Sequence, residues 1–434
     1  VTGTPTNRPA PGSGGTISNS TQAGAFFQNT QIVGLGGMVF DDNFRGIVAD
    51  NMLTRLGQAL PILLINDTTV QDSNREGLLV RNVYDTRVIR SDFLTNGLTG
   101  LDNQIEWVAT RSLPTVLNPR QYQLLIQDTV VRDSATQTIV RGGAGAPEPN
   151  RHMVYVHSGD STSSAAVFGP PPAGPGITPI GATDILSMRI TDTFPLTDGL
   201  NNRSEFLSNR SVNLSAVDVN WNGEFRATIE NTLFDVIPDA ANGLSFNVNG
   251  VSDIVIRRNE FDMRGNNNRA IVGVFNGAAA LEISDHFRTD PTTQQVLTGT
   301  GIDMRGINSN AIELEFRDDL NNVFIRNNLI EFTGLNLNPL AGGINRSGIV
   351  FNRIVGPSVV EFSNNLIELG AAPGTATGIA FLSIDGTISV TSLLDNTISA
   401  NGSIFTFVVP FFPALPDPRI NGTVLINGGS ISSP

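Results

Sequence analysis

Several residue types that anchor common chemistries are missing from this chain. There is no cysteine, which excludes disulfide frameworks, thiol nucleophiles and iron–sulfur ligation. There is no lysine, so all 27 basic residues are arginine. A phosphate-binding loop ending in Gly-Lys is therefore impossible, as is a lysine Schiff base. Charged residues make up only 15%, too few for a disordered polyelectrolyte. No run of about 18 apolar residues occurs, so no transmembrane helix is expected. The chain opens at Val1 without a signal peptide, which fits a mature form or a fragment.

What is present points to strands. Gly, Asn, Thr, Ser and Val fill the places that Glu, Lys and Ala take in helical proteins. The 40% of hydrophobic residues suffices for a core, and the net charge of −13 argues against nucleic acid as a partner.

The order within the 434 residues is a repeat. Asp262-Met-Arg-Gly-Asn-Asn-Asn-Arg-Ala-Ile271 aligns without a gap on Asp303-Met-Arg-Gly-Ile-Asn-Ser-Asn-Ala-Ile312. Ile254-Val-Ile-Arg-Arg-Asn-Glu-Phe261 matches Val323–Ile330, Val360–Ile367 and, with one weak position, Thr391–Ile398. Apolar residues stand five and three before the shared Asn (Asn259, Asn328, Asn365, Asn396) and two and four after it. Alternation with period two means strand, but the step across the Asn is odd, so the parity switches there. A turn at the Asn restores the core face, and Asn tolerates the left-handed conformation such a turn needs. Thr232 and Thr300 take the same place in two other copies. Strand landmarks at Gly243, Ala270, Ala311, Gly348 and Gly378 complete a unit of about 27–28 residues. Constant strands with variable loops on a fixed period describe a solenoid.

These segments resemble the pectate-lyase-like right-handed parallel β-helix repeat of secreted and surface proteins. The resemblance is good over residues 230–400 and looser over 25–230 and 400–434. It implies an all-β, three-sheet solenoid, with coils spaced about 4.8 Å apart and a dozen or so coils in a rod of about 60 Å. The expected organisation is an extended or flexible segment over 1–24, then one β-helix domain over 25–434. Insertions are expected near 141–182, 281–297, 335–347 and 405–418. Within the first, Met153–Val156 and Ala165–Phe168 could pair as a protruding hairpin. Val424–Ile431 carries the pattern almost to the last residue.

The scaffold does not name a function. Its enzymes suggest acid pairs, and Asp318-Asp319 is the weak catalytic candidate beside Asp41-Asp42; the segment around Asp318-Asp319 also reads, and more readily, as a polar inter-strand loop. None of His152, His157 and His286 has the Gly-His-Gly setting of a polygalacturonase-like site. His286, in a variable segment, is expected to be solvated. Three residues after each anchor position stand Asp235, Asp262, Asp303, Glu331 and Glu368. Parity turns them outward, so stacking makes a carboxylate column. Arg264 and Arg305 can serve Asp262 and Asp303, whereas Thr333 and Gly370 stand beside Glu331 and Glu368. That pair is where calcium would bind, if the column takes a cation; no other cofactor is expected. Phe411 and Phe412, set between prolines, are expected to contact a partner.

The function expected from these features is an extracellular structural or adhesive protein of the cell surface, non-enzymatic, self-associating into a homo-oligomer or filament. The alternative is a glycan-active enzyme or tailspike-like depolymerase or binding module, with a surface glycan as partner.

Overall fold

The computed structural model describes residues 13–50, 62–97, 103–110, 120–133, 152–159, 179–192, 204–208, 215–286, 301–333, 345–369, 375–391, 396–399, 403–407, 420–426 and 429–432. Among them there is no helix, and the strands stack in three long parallel sheets, here A, B and C, visited in turn by every coil. Sheet A contains twelve described strands, from Gly15–Ser18 to Thr397–Ser399. Sheets B and C join where Asn345–Val355 rounds a corner, pairing first with Thr375–Phe381 and then with Ile384–Thr391. The protein is a parallel β-helix.

The odd step in the sequence has the expected consequence. Ile254 and Ile256 point into the core before the turn, and Phe261 and Met263 point inward after it. Inside, like residues stack on like. Phe206, Phe234 and Phe261 lie ring on ring at 5.2 and 4.8 Å along sheet A. Phe275, Phe316, Phe351 and Phe381 form a second stack along sheet B. Trp107, Tyr122 and Trp221 meet at 5.5 to 6.2 Å in the interior of the first half. Parallel register forces this arrangement, because each inward position recurs one strand spacing above itself.

The turn differs from expectation in one detail. The left-handed residue is the one before the anchor: Arg258, Asn327 and Asn364 have φ between 52 and 54°. The backbone reverses parity at that residue, which swings the following Asn into the corner, where Asn259, Asn328 and Asn365 are buried. Each anchor Asn then clamps the turn one coil back. Asn365 donates through Nδ2 to the Ile325 carbonyl at 2.7 Å and accepts from the Asn328 backbone N–H at 3.2 Å. Asn259 does the same to Ile229 and Thr232, Asn328 to Ile283 and His286, and Asn396 to Phe362 and Asn365. In the first half hydroxyls replace the amides, Ser91 accepting from Thr68 and Ser204 from Thr129. A hydroxyl has one donor to give, so the same position there looks unlike an Asn repeat.

Boundaries shift accordingly. Gly15–Ser18, inside the segment expected to be an extended linker, is the first described rung of sheet A. His152–Ser158 is no hairpin arm: it is a rung of sheet B between Ile105–Ala109 and Ser215–Trp221. Ala165–Phe168 lies outside the described residues. Ala279–Ser284 continues sheet C in register, so residues 281–284 belong to a rung and not to an insertion. Asn345–Val355 and Ser403–Phe407 likewise claim parts of the other expected insertions. Ile420–Ile426 is a rung of sheet C, but Gly429–Ser432 folds back on it antiparallel, so the pattern there does not add a further coil.

Candidate functional site

The carboxylate column forms. Asp235, Asp262, Asp303, Glu331 and Glu368 are successive register partners on the outer face of sheet A, followed by Ser399. The two arginines do more than serve their own coil. Arg264 bridges Asp262 at 2.7 Å and Asp235 at 3.0 Å, and Arg305 bridges Asp303 at 2.9 Å and Asp262 at 3.1 Å. Asp262 is thus held between two guanidiniums. Burial still raises the Asp235 carboxyl above its ordinary range, with Arg264 acting against it.

Glu331 and Glu368 sit beyond the reach of this zipper. Among the described residues neither has a basic partner, and the Thr333 hydroxyl turns to Asp303. Burial, then Glu368, then Asp303 push the Glu331 carboxyl up. Gly301, at φ 145°, leaves a notch of about 30 Å³ beside the column, walled by Glu260, Asp262, Asp303, Arg305 and Glu331 and floored by Phe261. It has room for one water molecule. Among the described residues no group of three or more His, Asp or Glu side chains is placed to hold a metal ion.

A second constellation, missed in the sequence, lies on the outer face of sheet B. Glu106, Tyr155 and Asp218 are register partners on three successive rungs. Tyr155 stacks on His157 at 4.4 Å and on His152 at 5.0 Å. His157 Nε2 is 3.7 Å from Glu106, and His152 Nε2 is 3.9 Å from Asp218. His152 Nδ1 accepts from the Ser215 N–H at 3.3 Å. Burial lowers the His152 pKa, against the pull of Asp218 and Glu106, so its imidazole is neutral at pH 7. Burial, then Asp218 and Glu106, push the Tyr155 phenol up to about 12. This stretch of sheet B is not a solvent face: Val48, Leu79, Val108 and the Arg81–Asp50 ion pair are buried on it, and Glu106 is only 1% exposed. The period-two spacing of Tyr155 and His157 was visible, but His152 falls out of that period and the acids come from strands roughly 50 residues before and 65 after.

The remaining candidates separate. Asp318 and Asp319 are exposed in the turn between Asn310–Phe316 and Asn322–Arg326, where the Asp318 carboxylate accepts the Asp319 N–H at 3.0 Å. That is a turn contact, and no other acid is drawn into it. Asp41 accepts from Gln71 at 2.9 Å on sheet A, while Asp42 is a left-handed turn residue. Phe411, Phe412, Gly370 and Thr300 lie outside the described residues.

His286 corrects the expectation most plainly. It is buried and occupies the anchor place of its coil, with Asp285 in the left-handed position before it. The variable segment begins after the turn, so His286 is core and not loop. Its ring packs on Phe261 at 5.7 Å, and neither ring nitrogen makes a well-formed hydrogen bond. Burial pushes its pKa down to about 3, the Ser284 backbone offering only a weak opposing contact.

Compared with known proteins, the chain matches no family model, no curated protein and no solved structure. The fold and the geometry of these faces therefore carry the functional reading.

Proposed function

We propose that the chain is a structural or adhesive rod of the cell exterior, on a pectate-lyase-like scaffold, which associates with copies of itself. The observation that supports this best is the distribution of its side chains. Both tryptophans and Tyr122, which a glycan cleft would present as stacking platforms, are buried in the core. The turn amides hold neighbouring coils together, and the outer face of sheet A offers a straight, in-register line of charge. Such a body supplies length, stiffness and a regular surface. Gly429–Ser432 pairs antiparallel on Ile420–Ile426, which breaks the parallel register at that end, and the contacts proposed between rods are lateral. Sedimentation velocity and negative-stain microscopy across a concentration series test this. Lateral assemblies are expected, and a strictly monomeric species at millimolar concentration overturns the reading.

A second reading, a glycan-active enzyme, draws on Glu106 and Asp218, which lie two rungs apart, or about 9.6 Å between Cα atoms. Two acids on one face are the starting point for an inverting pair, but the burial of Glu106 leaves a substrate little access. Hydrolysis of an acidic polysaccharide, abolished by Glu106→Gln and by Asp218→Asn, would favour it over the rod.

A further inference from the structure

Sheet C carries a feature that the column on sheet A complements. The Glu230 carboxylate, with its side chain 6% exposed, receives three arginines. Arg189 reaches Oε1 at 2.9 Å, and Arg257 and Arg258 reach Oε2 at 2.9 Å each. The Thr191 hydroxyl adds a long fourth contact. Burial raises the Glu230 pKa, but the three guanidinium hydrogen bonds outweigh it and hold the carboxyl below its usual range. Within ion-pair distance one carboxylate faces three guanidiniums, and the next acids on this face among the described residues, Glu282 and Asp285, stand one rung away without an ion pair to them. The arginine side chains are 58, 41 and 48% exposed, so each has N–H groups still directed to solvent. Other exposed pairs, such as Arg226–Glu224 and Arg317–Glu315, match one to one. In a chain of net charge −13, a locally positive spot of this kind attracts an anionic group against the general field.

We infer that the Arg189–Arg257–Arg258 cluster on sheet C of one copy docks the Glu331–Glu368 pair on sheet A of a second copy. This rests on the reading of the chain as a self-associating rod and names its interface. Charge and span both match. Glu331 and Glu368 are the end of the column that no arginine serves, on adjacent rungs about 4.8 Å apart. Arg189 and Arg257 belong to strands on either side of Glu224–Glu230, roughly 9.6 Å apart along the rod, wide enough to straddle the pair. Guanidiniums take carboxylates with two parallel N–H groups, so each acid can be held from a fixed direction. The two surfaces lie on different sheets, so the contact is heterologous, the kind that propagates into a ribbon or layer when its rotation does not close a ring. Glu331 and Glu368 lie three and four rungs along the rod from Glu230, so parallel neighbours are staggered axially by roughly 17 Å.

The test is sedimentation velocity with two variants, each checked for a cooperative melt. Glu331→Arg with Glu368→Arg makes the acidic face basic without touching Glu230. Arg189→Gln with Arg258→Gln removes the excess charge while leaving Arg257 on Glu230. Each is expected to weaken association at least tenfold, and association of the parent protein is expected to fall between 50 and 500 mM NaCl. If one variant misfolds, the other still decides, because the two surfaces are on separate sheets. A parent that assembles while both folded variants assemble equally well overturns this interface and leaves the rod reading standing. A parent that remains monomeric overturns both. Polygalacturonate binding that is lost in the Arg189→Gln, Arg258→Gln variant, with self-association unchanged, would assign the cluster to a soluble acidic glycan and overturn docking of a second copy.

Discussion

Asn328 donates its side-chain Nδ2–H to Oδ1 of Asn365 at 2.9 Å, although the two residues are one full coil apart. Asn365 in turn donates to Asn396 at 2.7 Å. The amides are thus linked along the rod while each also satisfies a buried backbone carbonyl and N–H in the coil before it. Removing one strands several buried polar groups together.

The first prediction follows from that clamp. Asn328→Ala and Asn365→Ala are each expected to destabilise by about 2–4 kcal/mol, since buried partners lose their bonds without regaining water. Asn327→Gly, at the left-handed position beside the anchor, should be nearly neutral, because glycine reaches that conformation freely. Urea unfolding of the three variants distinguishes clamp from turn. Equal, small effects at 327 and 328 would show that the buried amides do not hold the coils together.

His286 breaks the amide ladder. In its place an Asn would reach the Ile256 carbonyl and the Asn259 N–H, by the geometry that the other anchors share. His286→Asn is expected to stabilise by about 1–2 kcal/mol at pH 7. Acid should widen the difference. The folded pKa near 3 lies below the unfolded value near 6.5, so only the unfolded chain takes up the proton as pH falls from about 6.5 toward 3. The parent therefore loses stability over that window, by about 2 kcal/mol at pH 5. Melting temperatures from pH 7 to 4 for parent and variant check this; parallel curves would mean that His286 is hydrated or paired in solution.

The acidic end of the column titrates the opposite way. The folded Glu331 pKa is raised, so the ionised carboxylate costs stability at neutral pH, and that cost fades as pH falls through the folded value. Glu331→Gln should raise stability at pH 7 by about half a kcal/mol, a small figure because the group is screened by solvent. Its benefit should vanish at acid pH. Asp262→Asn should do the reverse, destabilising at pH 7 by about 1 kcal/mol, because it strips a partner from both Arg264 and Arg305. Measuring both in the His286→Asn background separates the two pH effects. A loss of stability in Glu331→Gln at pH 7 would mean that a cation or an unseen donor already compensates the pair.

The solenoid, its period and the outward acid column were legible in the order of the amino acids alone. All three follow from alternation and repeat length, which parallel register converts directly into stacked positions. Asn259, Asn328, Asn365 and Asn396 were legible because one residue type recurs at one spacing. Their hydroxyl counterparts Ser91 and Ser204 were not, because a different group performs the reduced task. Only the tertiary structure placed the left-handed residue one position before the anchor, and only it put His286 in the core. Both depend on where the backbone turns relative to the hydrophobic set, and single-residue shifts there leave the pattern of apolar residues nearly unchanged. It alone also joined Glu106 and Asp218 to Tyr155, and Arg189, Arg257 and Arg258 to Glu230. Those groups meet because coils of unequal length stack in register, and the lengths of the intervening loops carry no chemical signal of what lies beside what.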